Sequence, residues 1–83
     1  MTDQDIKALI LRELKKIAPE VEAEQVDPGV DLREQIDLDS MDILNLMIAV
    51  HAATGVEIPE ADYAKMSTLD GCASYLRSRI KAG

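Results

Sequence analysis

The chain has no tryptophan, no phenylalanine and only two tyrosines among its 83 residues. With so few aromatic faces, it offers no stacking platform for bases or sugars. A single cysteine, Cys72, excludes an internal disulfide and makes a reducing, cytoplasmic setting the default expectation. A single histidine, His51, leaves little material for acid–base catalysis or metal binding. No apolar run approaches the ~18 residues that a membrane span needs. The start, Met1-Thr2-Asp3-Gln4-Asp5, is acidic and lacks the basic-then-apolar order of a signal peptide. The middle of the chain is poor in positive charge. Residues 20–70 hold only Arg33 and Lys65 against thirteen acids, a local balance of -11 within a net -7. Such a surface repels nucleic acid and attracts basic protein faces, besides favouring solubility. A chain of this length forms one domain, here residues 1–83, with a small core and no room for a deep catalytic cleft.

Apolar residues at helical spacing are what the sequence does have. Thr2, with Asp5 three positions on, predicts a capped start. Ile6, Leu9, Ile10, Leu14 and Ile17 then predict a first helix from about Asp3 to Ala18, closed by Pro19. Residues 19–38 read as a long loop with one short turn near Leu32-Arg33-Glu34, pinned by Val21, Val26, Val30, Leu32 and Ile36. A second helix is predicted from about Ser40 to Ala53, capped by Asp39 and Asp42 and stopped by Gly55. Residues 60–66 suit a short helix. Ser67 with Asp70 marks the start of the last one, whose inward stripe is Leu69, Cys72, Ala73, Leu76 and Ile80. The expected fold is all-α: a four-helix bundle of three longer helices and one short, with a long loop between the first and second.

The second helix is apolar almost all round, more than so small a domain can bury. Two faces resolve this. Ile43, Leu46, Met47 and Val50 serve the core, while Met41, Leu44 and Ile48 form a neighbouring face that begins beside Ser40. Either that second face docks partners or the long loop covers it.

Asp39-Ser40-Met41-Asp42 puts one hydroxyl at an exposed helix start, a good point for covalent attachment and a poor one for catalysis. His51 lies about 16 Å of helical rise from Ser40, and no Gly-x-Ser-x-Gly elbow exists, so a triad is unsupported. A calcium loop beginning at Asp37 fails at Met41, Asp42 and Ile48, which occupy positions that need a ligand, a glycine and a glutamate. His51 is expected on the helix surface and Cys72 in the core. Taken alone, Asp39-Ser40 is equally a plain helix cap.

From Leu32 to Leu76 the chain resembles the acyl carrier protein family. The resemblance rests on Leu32, on Ile36-Asp37-Leu38-Asp39-Ser40-Met41-Asp42, and on the apolar helix that follows. It continues through Gly55-Val56-Glu57-Ile58-Pro59-Glu60 and Thr68-Leu69. It implies that Ser40 carries a 4'-phosphopantetheine arm, derived from coenzyme A, whose thiol holds acyl groups as thioesters. It implies a non-enzymatic, monomeric carrier. Its partners would be a phosphopantetheinyl transferase and acyl-loading and acyl-accepting enzymes with basic docking patches. Asp39, Met41, Asp42, Leu44 and Ile48 would form the docking face, and Leu46, Met47, Met66 and Cys72 an acyl-chain pocket. Fatty-acid carriers of this family keep a ladder of glutamates along the second helix; here Asn45, His51, Ala52 and Ala53 stand instead. Asp37 replaces the usual glycine, and the Asp-Ser-Met wording is also similar to D-alanyl carriers. The expectation is therefore a specialised free-standing acyl carrier. An aminoacyl or peptidyl carrier and a small helical adaptor without a prosthetic group are the alternatives.

Overall fold

The computed structural model describes residues 2–80; Met1 and Lys81, the latter part of a basic C-terminal stretch, lie outside them. Helix α1 spans Asp3–Ile17. The Thr2 hydroxyl accepts from the Asp5 amide at 3.2 Å, and the Asp5 carboxylate accepts from the Thr2 amide at 3.0 Å. This reciprocal cap also holds the Asp5 carboxyl below its ordinary pKa. The helix stops one residue before the expected Ala18, because Pro19 keeps Ala18 extended at φ -128°, ψ 84°. Ile6, Ile10 and Leu14 are completely buried on its inner face.

The segment from Pro19 to Asp39 is held at several points. It contains a 3₁₀ turn at Ala23–Gln25, which the sequence did not signal, and helix α2 at Leu32–Gln35, where a turn was expected. The Asp31 carboxylate caps α2 by accepting from the Arg33 amide at 2.8 Å. The Gln35 side chain accepts from the Asp27 amide at 2.8 Å and donates to the carbonyls of Asp27 and Val30 at 2.9 and 3.0 Å. Leu32 is buried, and its amide donates to the Ser67 carbonyl at 2.8 Å. Val21 and Leu38 are buried as well, while Val26, Val30 and Ile36 are half-buried. The backbone of α2 is thus fixed from three sides.

Helix α3 spans Ser40–Thr54 and ends at Gly55, whose φ of 74° is the left-handed cap that its sequence position predicts. It runs one residue past the expected Ala53, since the Thr54 hydroxyl turns back to donate to the Val50 carbonyl at 2.8 Å. A 3₁₀ helix at Glu60–Met66 follows, then α4 at Leu69–Arg79. Here one expected boundary is corrected. The cap of α4 is Thr68, not Ser67: its hydroxyl accepts from the Gly71 amide at 2.8 Å. Ser67 instead spends its carbonyl on Leu32, a contact invisible to local pattern. Gly71 is required by close approach, because a Cβ there would lie 2.5 Å from the Lys65 carbonyl oxygen. Ile80 falls beyond α4 and is only half-buried, while Tyr75 takes a buried place on the helix.

Helix α1 packs on both α3 and α4, and the 3₁₀ helix rides on α4. The result is all-helical among the described residues, a bundle of three long helices and one 3₁₀ helix with the very short α2 added to the loop. One polar contact latches the 3₁₀ helix to α4, flanked by one contact within each of the two elements. The Tyr75 hydroxyl donates to Asp62 at 2.7 Å, Lys65 lies 3.4 Å from the same carboxylate, and the Arg79 guanidinium stacks 3.8 Å above the Tyr75 ring.

The Tyr75 hydrogen bond holds the Asp62 carboxyl below the usual carboxylate range. A carboxyl lowered on folding stabilises the protein above its unfolded pKa, near ~4, and loses that contribution as pH falls through the folded value. Tyr75→Phe removes the main cause of the shift. The variant should therefore be less stable than wild type at neutral pH, with the gap in thermal midpoint closing as pH drops below that window. Thermal melts of both proteins from pH 7 to pH 2.5 measure this, and a gap that stays constant with pH would refute the assignment.

Candidate functional site at the start of helix α3

The first turn of α3 is built by its two aspartates. The Asp42 amide donates to the Asp39 carboxylate at 2.8 Å, and the Asp39 amide donates to the Asp42 carboxylate at 3.2 Å. Both acids suit the positive end of the helix. They also take over the capping, so Ser40, the first helical residue, has no capping duty. Its side chain is exposed, and its hydroxyl has no hydrogen-bond partner among the described residues.

Ser40 stands on the edge of an open cleft of about 570 Å³. The cleft lies between α2, the first turns of α3 and the 3₁₀ helix. Its lining includes the apolar Leu32, Ile43 and Met66 and the polar or charged Asp31, Arg33 and Glu60. The face expected to dock partners is open: Met41, Leu44 and Ile48 are 61%, 38% and 57% exposed. The long loop therefore does not cover this face. Ile43, expected in the core, is only half-buried and lines the cleft.

Leu46, Met47, Met66 and Cys72, named above as an acyl-chain pocket, are all buried in the core cluster. Met66 alone among them also lines the cleft beside Ser40, while Met47 borders a second, shallower hollow with Ile48 and His51. Leu46 points inward with α3's core face, and Cys72 is fully enclosed. Arg33, Glu60 and Tyr63, absent from that expectation, line the cleft instead. One signal for Arg33 was present in the sequence: it is one of only two bases in residues 20–70.

The chemistry available from the chain's own side chains is narrow. Burial pushes the Cys72 thiol up to about 12, and its Sγ donates to the Met66 carbonyl at 3.2 Å, so it is neither accessible nor a thiolate. His51 is exposed near the far end of α3, and its Nδ1 is paired with the Val56 carbonyl at 2.9 Å. No group of three or more His, Cys, Asp or Glu suited to holding a metal occurs among the described residues. What the site offers is an exposed, uncommitted hydroxyl on a rigid helix start beside a partly apolar cleft. An acyl thioester borne by this domain would need a thiol from outside the chain. A phosphopantetheine arm would supply one, and the free Ser40 hydroxyl with open space beside it fits such a group.

Comparison with known proteins covers most of the chain. The family model described as a phosphopantetheine attachment site matches residues 4–76. An acyl carrier protein of Helicobacter pylori (strain G27) is 30% identical over 73 residues, which is 88% of this chain and 87% of that one. An acyl carrier protein of Thermosynechococcus vestitus is 27% identical over 79 residues, covering 95% of this chain and 91% of that one. Among solved structures, an acyl carrier protein from Enterococcus faecalis superposes with a TM-score of 0.72 at 22% identity, covering 94% of this chain and 98% of that one.

Proposed function

Since the chain belongs to the phosphopantetheine-attachment family of acyl carrier proteins, we propose that Ser40 is its attachment point and that it serves one specialised acyl-transfer pathway. The observation that carries the first part is the Ser40 hydroxyl, exposed and free of hydrogen bonds among the described residues, on a helix start capped by its neighbours. The bound arm supplies a thiol that holds acyl groups as thioesters. Ser40 Oγ anchors it through a phosphodiester, and the cap holds the helix start that bears this residue.

The chain's own residues then set how partners meet it. Met41, Leu44 and Ile48 give an apolar patch, and Asp39 and Asp42 give it an acidic edge at the attachment end. The rest of α3 contains no further acid. Docking by this helix therefore rests more on apolar contact than on charge, and this supports a dedicated set of partners over a general one. The partners in this reading are a phosphopantetheinyl transferase and acyl-loading and acyl-accepting enzymes in the cytoplasm. The carrier itself catalyses nothing and acts as a monomer.

The test is intact-protein mass after incubation with coenzyme A and a broad-specificity phosphopantetheinyl transferase. The expected result is a gain of one phosphopantetheine. No gain by a well-folded protein would overturn the reading in favour of a helical adaptor.

A further inference from the structure

Apart from Arg33, every lysine and arginine among the described residues has a partner. Lys7 pairs with Asp70 at 2.7 Å, Arg77 with Asp3 at 3.3 Å and Lys65 with Asp62 at 3.4 Å. Arg12 and Lys16 share Glu13 at 3.5 and 3.1 Å. Lys15 donates to the Val21 carbonyl at 3.3 Å, and Arg79 lies over the Tyr75 ring. Exposure does not explain the difference: Arg12, Lys16, Lys65 and Arg77 have side chains 63–68% exposed and are paired all the same. Nor is there a shortage of acids, since Asp31, Glu34 and Asp37 lie within four residues. The Asp31 carboxylate is turned to the Arg33 amide, which it accepts at 2.8 Å. Arg33 thus sits on a backbone fixed by the Leu32–Ser67 hydrogen bond and the Gln35 clamp, while its guanidinium has no ion-pair or hydrogen-bond partner among the described residues.

Arg33 and Ser40 line the same cleft. Any oxyanion brought there on Ser40 enters a strongly negative stretch, since residues 27–42 hold six acids and no base but Arg33. Like charge from Asp39 and Asp42 opposes it. A planar, always-charged guanidinium with paired donors is the side chain best suited to meet a phosphate or carboxylate. Resting on Ser40 as the attachment point, we infer that Arg33 is an oxyanion-binding residue that pairs with a negatively charged group carried on Ser40. The group is either the phosphodiester itself or a carboxylate at the end of the cargo. In the first case Arg33 positions the arm along the cleft; in the second it selects for acidic acyl groups.

The experiment compares four forms of the protein: unloaded, and loaded from coenzyme A, butyryl-coenzyme A or succinyl-coenzyme A by a broad-specificity transferase. Intact mass establishes loading separately, so a failure to load counts against Ser40 and not against Arg33. The readout is the arginine Nε–H resonance assigned to residue 33 by its loss in Arg33→Gln. A shift in all three loaded forms assigns the phosphodiester, and a shift confined to the succinyl form assigns the cargo carboxylate. In the form that shows the shift, loading should change the thermal midpoint of Arg33→Gln by ~2–5 °C less favourably than that of wild type, with Arg33→Lys in between. An unmoved resonance in all loaded forms, with equal midpoint changes in wild type and Arg33→Gln, overturns the inference.

Discussion

Ser40→Ala should abolish phosphopantetheine attachment completely and leave the fold untouched. Both halves of this expectation come from the same turn. Ser40 is exposed and its hydroxyl bonds nothing among the described residues, so removing one oxygen forfeits no packing and orphans no partner. Exposed substitutions of this kind stay within about 0.5 kcal/mol. The cap of α3 survives, because Asp39 and Asp42 make it. Asp39→Ala is the instructive opposite. It keeps the hydroxyl but removes a capping carboxylate, at a cost of ~1 kcal/mol. The pair separates attachment chemistry from helix stability, read by intact mass after transferase treatment and by thermal unfolding. Of the other hydroxyl groups, Thr2 caps α1, Thr68 caps α4, Thr54 is bonded to the Val50 carbonyl, Ser78 to the Tyr75 carbonyl and Tyr75 to Asp62, while Ser67 and Tyr63 are half-buried in the lining of the same cleft as Ser40. Ser74 is exposed but lies mid-helix on α4. A mass gain that persists in Ser40→Ala would move the attachment point to such a residue and refute the assignment.

The parts of the structure that were legible in the sequence are those fixed by local chemistry. Thr2 with Asp5, Asp39 with Asp42, Pro19 and Gly55 each act on their own turn, and each sits where a terminus falls. The exposed stripe of Met41, Leu44 and Ile48 was legible for a related reason: an all-apolar helix on a small domain must leave one face outside. What stayed hidden depends on distant partners. Ser67 closes the 3₁₀ helix in right-handed helical backbone and gives its carbonyl to Leu32, far back in the chain, so the extended residue that caps α4 is Thr68. Tyr75 is buried with its hydroxyl satisfied by Asp62, thirteen residues away on another element. Glu13 sits on the buried face of α1 only because Lys16 and Arg12 cover its carboxylate, which they also hold below its ordinary pKa. The cleft was illegible for the same reason. Its walls come from three separate elements, and the periodicity of any one helix records only which face turns inward.

The division of α3 into two faces leads to a contrast among three alanine substitutions. Leu46 is 1% exposed against α1, in a core too small to close over a lost side chain. Leu46→Ala should cost ~2–5 kcal/mol, made up of lost apolar transfer and a residual cavity. In a domain of this size that lowers the thermal midpoint by roughly 10 °C or more. Met41→Ala and Ile48→Ala remove side chains that stand more than half in solvent, so each should change stability by no more than about 0.5 kcal/mol. Their effect belongs to docking. If these side chains are desolvated against a partner, each truncation forfeits ~1–2 kcal/mol, and kcat/KM for loading of Ser40 by the transferase falls about tenfold. Ser40 itself is unchanged in both, so the loss reflects recognition and not chemistry. The two readouts must move in opposite patterns: melting falls for Leu46→Ala alone, while loading by the folded protein falls for Met41→Ala and Ile48→Ala. If both exposed variants load at the wild-type rate, the acidic turn at Asp39 and Asp42 carries docking by itself. The apolar face of α3 would then belong to some encounter other than the attachment of the arm.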